Sequence, residues 1–240
     1  MGGTLWPNRV PADPADGPER LERVARLLPA PAADEAAAFI AYVEATNRNP
    51  PRQRLAQLTD LSIAGWLRSR AIAPERDRVR ALRQALALPV PGRIELLPGA
   101  LVLLEGARRR GLRLVVLSNT DYRDAEVYGR DLAALGAGHL LDAIVSSVDL
   151  GLRKPHPAAF RAALREAYCR PEEAMMVGNT PGADIEPARA LGLYAVQVAI
   201  DDPPPRFPTT PVARDSLAEV LDVLDALEPP AVRDHIAGRG

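Results

Sequence analysis

From residue 112 onward the chain alternates short apolar runs with amphipathic stretches, a pattern that restricts it to a parallel sheet covered by helices. The runs at 112–117, 143–146, 174–177 and 195–199 read as buried strands. Helices are expected between them at 123–135, 157–168 and 183–191. Another is expected before them at 99–110, with Pro98 near its first turn and Gly111 as its stop. The fold class expected is therefore α/β: a parallel sheet covered by helices.

Residues 18–88 follow a different rule. Alanine, arginine and leucine dominate, strand-like alternation is missing, and helical periodicity restarts after each proline break. Breaks at Pro29 and Pro31, Pro50 and Pro51, Pro74, and Pro89 and Pro91 predict about four helices. We read 16–91 as a helical insert and 1–15 with 92–240 as the core. A surface loop is expected over 201–211, and a final helix over 216–227 capped by Asp215 or Ser216. The tail after Pro229 is expected to be loosely held.

Charge narrows the partners. A formal net charge of -1 and an isoelectric point near 6.3 leave no basic footprint for nucleic acid or an anionic membrane. Small anions remain open as ligands. The single cysteine, Cys169, excludes an internal disulfide and a multi-cysteine zinc site. The opening residues carry no basic or apolar leader, and no apolar run approaches the ~20 residues that span a bilayer. A cytoplasmic location is expected.

One cation stands apart: Lys154 is the only lysine, against 29 arginines. Arginine is a planar fork, whereas lysine carries a compact charge that enters a tight phosphate or carboxylate site. Lys154 is either the centre of such a site or a surface lysine retained by chance. Its context is polar and recurs: four polar segments stand where strands of such a sheet end, the place where open α/β sheets bind ligands. They are Gly2-Gly3-Thr4-Leu5, Ser118-Asn119-Thr120, Lys154-Pro155, and the run Val177-Gly178-Asn179-Thr180-Pro181-Gly182-Ala183-Asp184. By themselves Ser118 and Asn119 also suit a turn or a helix cap, and Asp184 also suits a helix start.

Taken in order, the four segments resemble the four motifs of the haloacid dehalogenase-like (HAD) hydrolases, with the insert placed like that family's C1 cap. The resemblance implies a Rossmann-like parallel sheet core with helices on both faces, an aspartate nucleophile, a covalent intermediate and usually Mg²⁺. Ser118 matches the hydroxyl that holds the transferred group, with Asn119 and Thr120 shaping the pocket beside Gly3 and Thr4. Lys154 matches the lysine that neutralises nucleophile and substrate. Asp184, Asn179 and the Gly2 carbonyl match the metal-binding positions.

Three departures accompany the match. The family's first motif, Asp-x-Asp-Gly-Thr-Leu, aligned on Gly3-Thr4-Leu5, puts the nucleophile one residue before Met1. The apolar strand that carries it is central in that family. Each buried side chain is worth ~1.5–3 kcal/mol, so four or five absent ones cost roughly 6–15 kcal/mol, against a typical total stability of about 5–15 kcal/mol. An upstream start with a short apolar strand ending in aspartate is expected, and poor folding without it. Gly2 replaces the general acid–base aspartate, which leaves either a leaving group that needs no proton or an acid supplied from the insert. Asn179 replaces a carboxylate ligand, so Mg²⁺ is expected to bind more weakly. Family members that remove halide likewise lack the second aspartate, but their asparagine-to-aspartate interval is shorter than the one here, which resembles the phosphatase branch. The resemblance thus implies a phosphatase acting on a small phosphorylated metabolite. Its alternatives are a non-catalytic binding protein and a metal-independent 2-haloacid dehalogenase.

In the insert, Trp66 with Arg68 and Arg70 either faces the cleft or forms helix core with solvated arginines.

Overall fold

The computed structural model describes residues 1–7, 16–48, 58–88, 92–200 and 210–227. The breaks expected at Pro50–Pro51 and Pro89–Pro91, most of the 201–211 loop and the tail after Pro229 lie outside them.

Among the described residues five short strands, all parallel to their neighbours, are interleaved with helices. β1 (Val115–Ser118) pairs with β2 (Ala143–Ser146), Val115 opposite Ala143. β3 (Met175–Gly178) pairs with β4 (Tyr194–Val198), which in turn pairs with β5 (Val212–Ala213). The parallel strands match the α/β expectation. They fall, however, into a two-stranded and a three-stranded sheet rather than one.

Side chains alternate across each strand. Val116 and Val196 join a core closed by α5 (Ala100–Arg109), α6 (Ala125–Ala134) and α10 (Glu219–Ala226). Leu117 and Met176 face the other way, onto Phe160 and Leu164 of α8 (Pro157–Ala167) and Ala188 of α9 (Glu186–Ala190). A one-turn helix, Ser147–Leu150 (α7), follows β2 with Ser146 as its cap.

Several boundaries move for local reasons. Leu112 is not in a strand, because its N–H bonds Ala107 O at 3.1 Å and closes the end of α5. The helix expected over 183–191 is a wide turn, Pro181–Ile185, followed by α9: Thr180 O accepts from both Ala183 N and Asp184 N. The final helix begins at Glu219 rather than 216. Ser216 Oγ accepts from Ala218 N at 3.2 Å, while the Glu219 carboxylate takes the amides of Arg214, Asp215 and Ser216.

Among the described residues, four α-helices lie between the first residues and α5: α1 (Asp16–Leu27), α2 (Ala36–Arg48), α3 (Leu58–Arg68) and α4 (Arg76–Leu86). They bury their own core around Phe39, Val43, Ile63, Leu67 and Leu82. Trp66 belongs to that core, edge-on to Phe39 with ring centres 5.0 Å apart, and Arg70 covers its outer face. This layer meets the sheet-bearing part through polar contacts. Buried Arg83 of α4 pairs with Asp124 at 3.0 Å and with Asp60 at 3.2 Å, and Gln84 donates to Asp124 at 2.7 Å. Asp124 also caps α6 through Val127 N.

Candidate active site

β1 ends by delivering Ser118 and Asn119. The Asn119 amide grips the Lys154 backbone at two points: Nδ2 donates to Lys154 O at 2.9 Å, and Lys154 N donates to Oδ1 at 2.8 Å. That clamp spans 35 residues of sequence and fixes where the lysine stem starts. The ammonium then reaches inward, donating to Leu117 O at 2.8 Å and pairing with Asp184 Oδ1 at 2.7 Å. Lys154 is 8% exposed and Asp184 4%.

Asp184 is held from the opposite side. Its Oδ2 accepts from Thr180 N at 3.0 Å across the wide turn after β3. Gly178 makes room for it, since a Cβ there would stand 2.6 Å from Asp184 Oδ2. Next along the turn, Asn179 Oδ1 accepts from Thr4 Oγ1 at 3.4 Å. Gly3 has φ +71° and its missing Cβ would stand 2.7 Å from Asn179 Cγ, so only glycine fits this crossing. The Met1 amino group is buried beside these charges. Its pKa falls to about 5, first because burial disfavours the charged form and then through Lys154, with Asp184 opposing.

Ser118 is 2% exposed, and its Oγ lies 2.8 Å from the hydroxyl of Tyr128 on α6. Tyr128 stacks on Trp6, with ring centres 5.9 Å apart. Burial pushes the phenol pKa up, so it stays protonated.

Gly3, Thr4, Ser118, Asn119, Lys154, Asn179 and Asp184, singled out in sequence, therefore come together at the carboxyl ends of β1 and β3. Residues 1–192 match a family model described as haloacid dehalogenase-like hydrolase. The chain belongs to that family. It is 32% identical over 170 residues to mouse haloacid dehalogenase-like hydrolase domain-containing protein 3, covering 69% of this chain and 64% of that protein. It is 38% identical over 129 residues to a phosphoserine phosphatase of Thermus thermophilus, covering 52% of this chain and 48% of that enzyme. The chain thus spans between about half and two thirds of the length of these relatives. Its fold resembles that of a solved 2-haloacid dehalogenase from Pseudomonas syringae, with a TM-score of 0.61 and 18% identity over 94% of this chain and 95% of that one.

HAD-like phosphatases use Mg²⁺ in general, and the donors present here can be compared with what that ion needs. Mg²⁺ takes oxygen ligands in octahedral geometry, usually including carboxylates. Of the expected ligands only Asp184 is a carboxylate, and both of its oxygens are engaged, one by the Lys154 ammonium and one by Thr180 N. The Asn179 oxygen is turned to Thr4. Among the described residues no three acidic, histidine or cysteine side chains gather as a metal cage. This donor set does not fit Mg²⁺ without a further carboxylate.

Two expected residues have structural work. Gly2 forms a bridge to Trp6, and the Thr120 hydroxyl accepts from Arg123 N at 3.0 Å. Tyr128 was missed by sequence reasoning. An aromatic on an amphipathic helix looks like any core residue, and its link to Ser118 becomes visible only when α6 packs over β1. Arg153, which donates to Thr120 O and pairs with Asp121, each at 2.9 Å, was also missed although it adjoins Lys154.

Among the described residues no helix is long and apolar enough to cross a membrane.

Proposed function

We propose that this HAD-like hydrolase is a phosphatase acting on a small phosphorylated metabolite, with Lys154 as the charged centre. The observation that carries the reading is the buried ammonium of the chain's one lysine, clamped by Asn119 beside Ser118 at the carboxyl ends of two parallel strands. The relatives whose names specify a phosphatase point to the same chemistry.

In this reading the nucleophile is the carboxylate that the first motif puts one residue before Met1. Its oxygen attacks phosphorus and forms an aspartyl phosphate while the bond from phosphorus to the leaving oxygen breaks and that oxygen keeps the electron pair; water then hydrolyses the aspartyl phosphate, releasing inorganic phosphate and regenerating the carboxylate. Lys154 and the Ser118 hydroxyl stabilise the charge on the phosphoryl oxygens. Gly2 supplies no proton, so the substrate is one whose leaving group departs as a stable anion, such as an acyl phosphate, or one protonated from the helical layer. That layer, 16–91, acts as the cap that selects substrate, over a core of 1–15 and 92–240. The added carboxylate would also give Mg²⁺ the ligand it lacks; no step here depends on the ion.

The test is turnover of acetyl phosphate, p-nitrophenyl phosphate and 2-chloropropionate by the chain carrying an aspartate before Met1, in Mg²⁺ and in chelator. Phosphate release that falls about 10²–10³-fold in Lys154→Met supports the reading. Halide release in chelator would replace it with dehalogenation. A second reading, binding of an anion without turnover, is favoured by the engagement of both oxygens of Asp184, the one carboxylate among the expected site residues, by Lys154 and Thr180 N, which leaves it no free oxygen for attack. Tight phosphate binding without turnover by the folded protein would select it.

A further inference from the structure

The loop after β1, residues 119–124, divides its contacts in two. Its first half faces the segments that follow β2. Asn119 clamps the Lys154 backbone, Thr120 N donates to Ser147 Oγ at 2.9 Å, and Arg153 reaches Thr120 O and Asp121, each at 2.9 Å. Its second half faces the helical layer. Tyr122 OH accepts from Asn47 Nδ2 of α2 at 3.1 Å, Arg123 donates to Leu88 O just beyond α4, and Asp124 takes Arg83 and Gln84 of α4.

Tyr122 enters that layer more deeply than its neighbours do. Among the described residues, every other member of the layer's apolar cluster lies between Val24 and Leu86, and Tyr122 alone joins it from the β1 loop. Burial pushes its phenol pKa up, so the hydroxyl stays neutral against Asn47. Asn47 is fixed in turn, because its Nδ2 also donates to the buried Thr59 Oγ1 of α3 at 3.1 Å. The Tyr122 hydroxyl is thereby tied to two helices at once. Toward the site the loop is stiff: Thr120 Oγ1 accepts from Arg123 N at 3.0 Å and from Tyr122 N at 3.4 Å, closing a turn. A displacement of Tyr122 is carried to Thr120 and so to Asn119.

We propose that Tyr122 is a positioning residue: its hydrogen bond to Asn47 holds the 119–124 loop where Asn119 can clamp Lys154, so that the helical layer sets the place of the buried ammonium. The last ladder pair is Ser118 opposite Ser146, so beyond it the sheet no longer fixes the loop. Its place then depends on the tethers at its two ends. Of the three that the helical layer supplies in a row, Tyr122 is nearest to Asn119. The placement stands apart from the phosphatase reading, and only its consequence for turnover rests on that reading.

Because Lys154 is the one lysine, ¹⁵N-lysine labelling of the full chain gives a single backbone amide signal, from the N–H bonded to Asn119 Oδ1. Its hydrogen exchange is expected to quicken about three- to tenfold in Tyr122→Phe and in Asn47→Ala. The double variant is expected to match Asn47→Ala alone, since both changes remove the same bond. Phe39→Leu loosens the core of the helical layer at the other end of α2 and controls for a general loss of stability. Exchange at Lys154 is expected to stay within about twofold of the parent there. Unchanged exchange in Tyr122→Phe and Asn47→Ala, additive gains in the double variant, or an equal gain in Phe39→Leu overturns the tether. Exchange is read without substrate, so a protein that releases no phosphate removes the phosphatase reading and leaves this test intact.

Discussion

The Lys154 ammonium lies 2.7 Å from Asp184 Oδ1, and both side chains are buried. Thirty residues separate them, and each has a second tether: the ammonium to Leu117 O, the carboxylate to Thr180 N. A buried ion pair repays its desolvation only when such extra hydrogen bonds are made. The pair therefore fixes the turn after β3 against the end of β1. It also presents a substrate with an ammonium whose charge is already balanced.

Removing the ammonium leaves Asp184 buried and unpaired. Lys154→Met is expected to lower stability by about 3–5 kcal/mol, and adding Asp184→Leu to recover most of that loss. Urea unfolding of the two variants checks it; equal losses in both would mean the pair is not coupled. Lys154→Arg tests the size requirement, because a guanidinium must fit between Leu117 O and Asp184, and reduced stability is expected there too.

The Met1 amine gives a pH signature in a chain that starts at Met1. Its pKa is about 5 when folded against an ordinary value of 8.0. Between these values the unfolded chain binds the extra proton, so stability rises as pH increases from about 5 to 8 and levels off above. Urea midpoints of the N-acetylated chain, subtracted from those of the free amine, isolate this contribution. Identical pH dependence in both would contradict it.

Tyr128→Phe keeps the stack on Trp6 and removes the 2.8 Å partner of Ser118. A buried hydroxyl left without that partner costs about 1–3 kcal/mol, whereas losing both members of such a pair is close to neutral. Tyr128→Phe combined with Ser118→Ala is thus expected to be more stable than Tyr128→Phe alone. A double-mutant cycle by thermal unfolding measures the difference.

Arg83 joins the helical layer to the core by holding both Asp60 and Asp124. Burial already raises the Asp60 pKa, and Arg83 opposes that rise. Arg83→Met is expected to cost about 3–5 kcal/mol and to raise the Asp60 pKa further, which carboxyl NMR titration would detect.

Gly3→Ala forces a side chain into the left-handed region, at about 1–2 kcal/mol, and directs its Cβ at Asn179. A shifted Asn179 side-chain amide resonance together with a lower Tm is expected. An unchanged amide signal would show that the crossing is looser than the distances indicate.

Much of this site was legible in the chain. The lone lysine, the asparagine after β1 and the aspartate after β3 stood out because strand ends and turns leave local marks, and all three converge. The pairing of Lys154 with Asp184 is visible only where the turn after β3 meets the end of β1. Tyr128 and Arg83 left no mark. Each looks ordinary on its own helix and acquires its role from a residue 10 and 41 positions away, respectively.

The sequence by itself determined the α/β class, the helical layer around Trp66 and the places of the first four strands along the chain, because hydrophobic period and turn residues are set by near neighbours. Only the tertiary structure decided that the strands divide into two sheets, that the Met1 amine is buried beside Lys154 and Asp184, and that Ser118 answers to Tyr128. Those features depend on which apolar faces and backbone edges meet in space, and edges left unpaired have no signature in the residues that form them.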